Sequence, residues 1–318
     1  MGQIGKTVGV MALSLLLSGT LAGPTILEAQ VVVPGASDGR WPLQPNSPGN
    51  NTLAPFFEGW YANDDGTFSL SFGYLNTNLD TLYVPLGENN FLDHPEFDGV
   101  QPTVCFPGRH RGVFGVTLPA DMEEADVWWT VTTQYGNTTK VPGRTGAAAY
   151  QLDWLPRPHG SVTPSVSFDL QSGVGRGPPG VWSARTYSAA VGSPLTLSIN
   201  ATDPSERDLD DARMVRLPLR VVWSELQGPA PVRYTRHESN PPPEVDDDPA
   251  AAARRRAPSG PQIVLVADGR GTASVIATFS VPGEYVMLAQ VDNFAAADSG
   301  TQDQCCWTNA YVRVTVTP

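Results

Sequence analysis

The densest set of reactive side chains in this sequence lies between residues 93 and 111. Imidazole and carboxylate groups together suit Zn or Mn, so Asp93, His94 and Asp98 are candidate metal ligands. No H-x-x-x-H or C-x-x-C spacing supports them, and Pro95 places them in a loop without strand or helix periodicity. We therefore favour a polar loop over a metal site. The full set is Asp93, His94, Glu96, Asp98, Cys105, Arg109, His110 and Arg111.

Glycoside hydrolysis would require two positioned carboxylates. Glu58 lies on a predicted strand, whereas Asp64 and Asp65 lie in the following turn. Turn aspartates usually cap their own backbone. A glycan-acting hydrolase that uses Glu58 or the loop 93–98 is therefore the alternative function.

Oxygen-rich segments raise the question of calcium, which takes oxygen ligands. They are residues 63–65, 208–211 and 246–248, together with Asp292. The EF-hand spacing is absent, and adjacent acids such as Asp210 and Asp211 cannot all face one ion. We predict no cofactor, with a structural calcium as the alternative.

Tryptophans give the best indication of a binding surface. Trp128 and Trp129 are neighbours on a predicted strand, so they point to opposite faces and only one enters the core. An exposed Trp suits stacking on a sugar ring or burial against a partner. Trp128, Trp129 and Trp60 are therefore the candidate ligand-binding residues, and packing on an adjoining domain or loop is the alternative.

The three cysteines are Cys105, Cys305 and Cys306, an odd number. A bridge from Cys105 to Cys305 or Cys306 would tie two domains together. The alternative is buried thiols that behave as small apolar side chains.

The N-terminus has the pattern of an export signal. Lys6 precedes the apolar run 8–17, and small residues end at Ala22. The run is too short to span a membrane, so a secreted or periplasmic protein is expected. The net charge of −12 argues against nucleic acid and anionic lipid. The expected partner is therefore a protein or a carbohydrate.

Beyond a signal peptide at 1–22 and a flexible spacer at 23–54, short apolar runs between Gly and Pro turns predict strands. Alternation in residues 67–74, after the turn Asp65-Gly66, predicts a half-buried hairpin strand. We predict an all-β fold with a β-sandwich domain over 55–172 and a Gly/Pro-rich linker at 173–180.

Residues 181–318 are more distinctive. The run 277–285 (ATFSVPGEY) and the earlier run 191–203 (VGSPLTLSINATD) resemble bacterial PKD and related immunoglobulin-like modules. The resemblance implies a second β-sandwich, a buried strand Trp at Trp223 and a tyrosine corner at Tyr285. It implies no activity. The polar segment 237–262 is predicted to be a disordered loop within this domain.

No reactive group has the convergent spacing that catalysis requires. The sequence therefore favours an exported, non-enzymatic binding or structural module of the bacterial envelope or extracellular space, for a glycan or a protein.

Overall fold

Strands make up nearly all the regular structure of the residues that the structure describes. The computed structural model describes residues 52–152, 161–206, 208, 210, 218–240, 260–293 and 306–318. In these residues there is no α-helix, and none of the helical turns is long and apolar enough to cross a membrane. The predicted all-β class is confirmed. The strands are β1 Leu53–Ala62, β2 Phe68–Asn76, β3 Leu82–Tyr83, β4 Asn90–Leu92, β5 Val104–Cys105, β6 Gly108–Leu118, β7 Val127–Thr132, β8 Thr138–Gly143, β9 Ser165–Ser167, β10 Val181–Trp182, β11 Tyr187–Ala190, β12 Pro194–Thr202, β13 Leu219–Gln227, β14 Val232–Arg236, β15 Ile263–Val266, β16 Arg270–Phe279, β17 Gly283–Asp292 and β18 Trp307–Thr317.

The predicted hairpin forms from β1 and β2, which pair antiparallel. Its turn is fixed by Asp65, whose Oδ1 accepts the backbone N–H of Thr67 at 3.0 Å and its hydroxyl at 2.6 Å. Gly66 supplies a φ of +82°. The expectation of a half-buried strand is wrong, because Ser69 and Ser71 are buried along with the apolar face. β2 is the middle strand of the sheet β1-β2-β6.

Strands β9 to β18 form the C-terminal sandwich. One sheet has the order β14-β16-β12-β9, and the other has the order β10-β18-β17-β13-β15, with β11 also pairing parallel to β18. Trp223 lies in the core between the sheets and is 1% exposed. The Tyr285 hydroxyl donates to the carbonyl of Val281 at 2.9 Å, the contact expected of a tyrosine corner. The immunoglobulin-like expectation is confirmed at the level of the fold.

Strands β1 to β8, within residues 52–152, form the N-terminal block. Its sheets are β1-β2-β6, β4-β7-β8 and the short pair β3-β5. Aromatic rings fill its core: the centroids of Phe72 and Phe114 lie 5.1 Å apart, and those of Phe114 and Trp129 lie 4.9 Å apart in an edge-on contact. Such pairs add to the hydrophobic stabilisation of the core.

One sheet of the C-terminal sandwich is buried on both faces. Along β17, Tyr285 and Met287 belong to the sandwich core, while Val286 and Leu288 belong to the core of the N-terminal block. Tyr311 of β18 joins the same second core. Continuous apolar runs are typical of strands that are covered on both sides. Residues that we assigned to two domains therefore share a core.

Two assignments near the expected boundary need correction. The structure places β9, expected in the N-terminal domain, in the C-terminal sandwich, where it pairs with β12. The expected linker 173–180 is packed: Gly175 exchanges two backbone hydrogen bonds with Val166, and the carbonyl of Pro178 accepts the Asn309 side chain at 3.0 Å. A Cβ at Gly175 or Gly180 would overlap neighbouring backbone, so glycine permits the close packing of this segment. From residue 52 onward, the described residues belong to one compact unit.

Parts of the predicted organisation lie outside the described residues. They are the signal peptide and spacer up to residue 51, and residues 241–259 of the expected loop. At the edges of that loop, His237–Asn240 and Gly260–Gln262 are described and form turns.

Truncation of Leu288 tests the shared core. Leu288 is 3% exposed on the face toward the N-terminal block, and Met287 is fully buried on the opposite face. We expect L288A and M287A each to lower the free energy of unfolding by about 2 to 5 kcal/mol, because both leave a cavity. Chemical denaturation measures both. A change within about 0.5 kcal/mol for L288A, as at a surface site, would contradict a shared core.

Candidate functional site

The candidate metal ligands Asp93 and Asp98 accept hydrogen bonds from the backbone of neighbouring strands. Asp93 Oδ1 accepts the backbone N–H of Trp128 at 2.8 Å, and Asp98 Oδ1 accepts that of Leu92 at 3.0 Å. His94 Nδ1 lies 3.3 Å from the carboxylate two residues further on. Across the described residues, no group of three or more His, Cys, Asp or Glu side chains is placed to hold a metal ion.

The acids considered for calcium are dispersed. Asp65 caps its turn, and Asp292 pairs with Arg220, whose NH2 lies 2.7 Å from Asp292 Oδ2. Asp211 and residues 246–248 lie outside the described residues.

Of the neighbours Trp128 and Trp129, only Trp129 enters the core, as the alternation of side chains along a strand predicts. Trp129 is fully buried, and its indole N–H donates to Asn90 Oδ1 at 3.0 Å. Trp60 is 8% exposed and donates to the carbonyl of Ala147 at 3.1 Å. Neither ring can stack on a ligand while these contacts persist. Trp128 is half-buried, with Lys140 Nζ 4.7 Å from its ring centroid.

Glu58 lies in a β-bulge, where the register of β1 against β2 shifts between Phe57 and Gly59. Its side chain is 1% exposed, and its Oε1 lies 2.7 Å from NH2 of Arg109 on β6. A Cβ at Gly73 would overlap both the carboxylate and the guanidinium, so the bare backbone of Gly73 makes room for the pair. The bulge changes the direction of the Glu58 side chain relative to a regular strand.

The electrostatics of Glu58 fit a structural role. Burial raises its pKa, and Arg109, Arg111 and the backbone N–H of Gly112 oppose the rise. The Arg109 guanidinium also lies 4.2 Å from the ring centroid of Phe56. A general acid must reach its substrate, but this carboxylate is covered and ion-paired.

The cysteines do not form the predicted bridge. Cys105 is a free, buried thiol, and Cys306 is disulfide-bonded. The bridge from Cys105 to Cys305 or Cys306 is therefore wrong, because Cys105 points into the core of the N-terminal block. Burial raises the pKa of the Cys105 thiol to about 12. Cys305 lies outside the described residues.

A crevice of about 360 Å³ lies between the N-terminal block and the C-terminal sandwich. The block contributes Phe106 and the start of β6, and the sandwich contributes β13, β14, β17 and the turn before β15. The described residues that line the crevice include no carboxylate, although the chain carries a net charge of −12. Its aromatic and polar lining residues are Phe106, His110, Arg111, Trp223, Ser224, Tyr234, Gln262 and Gln290.

Local contacts hold the block side of the crevice in place. The His110 ring stacks on Tyr74 with centroids 4.9 Å apart, and burial is the main cause that lowers its pKa. The imidazole is therefore mostly neutral at pH 7. Gln290 Nε2 donates to the carbonyls of Arg111 at 3.0 Å and Gly112 at 3.1 Å, which ties β17 to β6.

Sequence reasoning missed the crevice because its lining comes from segments more than a hundred residues apart. Of the lining residues, the sequence indicated His110 and Arg111 as reactive side chains and Trp223 as a core residue, and none of them as a ligand-binding group. The one signal that could have indicated it was the apolar run of β17, which implies a second packed face.

Comparisons with known proteins give fold-level information only. No protein-family model and no curated protein matches the chain. The D00-D0 domain of intimin aligns at 11% identity over 83% of this chain and 100% of that chain, with a TM-score of 0.24. The D0-D1 domain of intimin aligns at 11% identity over 83% of this chain and 98% of that chain, with a TM-score of 0.24. The Yersinia pseudotuberculosis adhesin InvE aligns at 10% identity over 83% of this chain and 58% of that chain, with a TM-score of 0.22. The resemblance is distant, and these TM-scores carry no functional argument.

The strands themselves define the class: an all-β protein with an immunoglobulin-like sandwich and an N-terminal β-block packed on its outer face.

Loss of Arg109 tests the buried ion pair. We expect R109A to lower the free energy of unfolding by about 3 kcal/mol at pH 8, because the Glu58 charge is left buried without its main partner. The loss should shrink at pH 5, where Glu58 can take up a proton. The matched control is R144A, which breaks the exposed pair with Asp126 and should cost less than about 1 kcal/mol. Equal effects would contradict a buried role.

Thiol titration tests the state of Cys105. We expect no reaction of the folded protein with a thiol reagent, and one reactive thiol per chain after unfolding without reductant, because a buried, protonated thiol is a poor nucleophile. A chain without any reactive thiol after unfolding would show that Cys105 is bridged.

Proposed function

We propose that this protein is an exported, non-enzymatic binding protein that takes its ligand in the crevice between the N-terminal block and the C-terminal sandwich. The observation that carries the proposal is the lining of the crevice. It combines aromatic and amide side chains and lacks carboxylates among its described residues. Binding sites tend to occur at such junctions, as mostly apolar clefts with a few polar groups.

The same lining indicates a glycan or protein segment without strong positive charge as the ligand. Phe106 and Tyr234 offer ring faces, and Gln262 and Ser224 offer hydrogen-bonding groups. A cationic ligand would find no counter-charge from the described lining. Export rests on the sequence of residues 1–22, and it fits a protein that meets its ligand outside the cytoplasm.

The alternative of a secreted glycan hydrolase has less support. It needs two carboxylates flanking the scissile bond. Glu58 is ion-paired in a bulge, Asp93 and Asp98 accept backbone hydrogen bonds, and none of the three lines the crevice.

A glycan array and a protein pull-down with the exported form test this proposal. We expect S224Y to reduce binding at least tenfold, because the larger side chain would fill the crevice from β13, and R111A to weaken binding. The matched control is W128A, which changes the half-buried Trp on the separate strand β7 and should bind normally. Circular dichroism and melting curves verify that each variant is folded. Binding lost in W128A but retained in S224Y would move the site to β7 and refute the crevice.

A further inference from the structure

Glu225 is a buried carboxyl group at the end of β13. Strand alternation places it on the same face as Val221 and Trp223, and it is 2% exposed. Neither carboxylate oxygen has a hydrogen-bond partner among the described residues. The backbone N–H of Val232 partly opposes the effect of burial on the pKa of Glu225. Unlike Glu58, this group has no described cation beside it.

The charge of Glu225 acts on three tyrosines, which come from three different strands. Tyr83 of β3 and Tyr234 of β14 have buried hydroxyls without a described hydrogen-bond partner. Burial raises the pKa of each phenol, and the Glu225 charge adds to the rise, as it does for Tyr285 of β17. These phenols are the titratable groups that face Glu225 from the elements packed against it. A Cβ at Gly228 would overlap both the Glu225 carboxylate and the Tyr285 ring.

Glu225 lies at a contact between the N-terminal block and the sandwich. We call this contact the joint, and it consists of residues 99–105 of the block and residues 225–228 of the sandwich. The backbone N–H of Thr103 donates to the carbonyl of Leu226 at 2.9 Å, and that of Gly228 donates to Thr103 Oγ1 at 3.2 Å. Gln227 Nε2 donates to the carbonyls of Gly99 at 2.9 Å and Gln101 at 2.7 Å. A bulge between Glu225 and Gln227 lets neighbouring side chains enter different cores.

We propose that the joint is a pH-sensitive contact, tight while the Glu225 carboxyl is protonated and looser once it ionises. A neutral carboxyl group costs less to bury than a charged one. A carboxylate in the same place is a buried charge without a cation, which is costly. Opening of the joint admits water to the carboxylate, so ionisation favours the open form.

The direction of the pH effect follows from linkage. Burial raises the pKa of Glu225 from 4.5 to about 7. The closed form therefore holds a proton that the open form releases. The joint is most stable below pH 4.5, and this stability is lost as the pH rises through about 7. Between pH 5 and pH 8, the ratio of open to closed joint should rise by about tenfold to a hundredfold.

Hydrogen exchange in the full chain, resolved by peptide and corrected for the intrinsic pH dependence of exchange, tests the proposal. We expect the protection of residues 99–105 to fall between pH 5 and pH 8, while residues 273–277 in the sandwich core stay protected. E225Q, which removes the ionisation, should show protection that does not change with pH. The control E284Q changes an exposed Glu on β17 and should behave as the wild type.

Two results would overturn the proposal. One is a wild-type joint whose protection is constant with pH, and this measurement decides the matter even if E225Q does not fold. The other is an E225Q protein in which residues 99–105 lose protection with pH as the wild type does.

Discussion

Burial of one sheet on both faces is the constraint on which the rest of this structure depends. β13, β17 and β18 present one face to the sandwich partner and the other to the N-terminal block. The apolar surface of the second face is too large to leave in water, because each buried side chain of this size contributes about 1.5 to 3 kcal/mol. The block must therefore stay on the sandwich. The crevice and the joint both exist only because it does.

Two buried glutamates, Glu58 and Glu225, lie in opposite electrostatic settings. Glu58 faces Arg109, with Arg111 adding to the positive potential, and its bulge and the bare Gly73 give the pair space. Glu225 faces phenols and no described cation. A buried charge that is paired mainly fixes geometry, whereas one that is unpaired makes stability depend on protonation. The sequence alone does not separate the two cases, since both residues lie on alternating strands.

Local patterns in the sequence predicted the local structure. The hairpin at Asp65-Gly66 follows from a local pattern, and it is found. The buried Trp223 and the tyrosine corner at Tyr285 were implied by the resemblance to immunoglobulin-like modules, and both are found. The features that were missed depend on packing between distant segments. β9 joins the sandwich, and Cys105 points into the N-terminal core. The crevice takes its lining from segments more than a hundred residues apart, and no period or spacing encodes that.

The parallel pairing of β11 with β18 has a mechanical consequence. Four residue pairs, from Tyr187 with Val314 to Ala190 with Thr317, join the two strands. Tension that draws the end of β18 away from the start of β11 would act along the strands, so all of their hydrogen bonds would have to break together. Antiparallel neighbours pulled from adjacent ends separate one bond at a time. The pairing with β11 therefore holds β18 in a shear geometry against such a force.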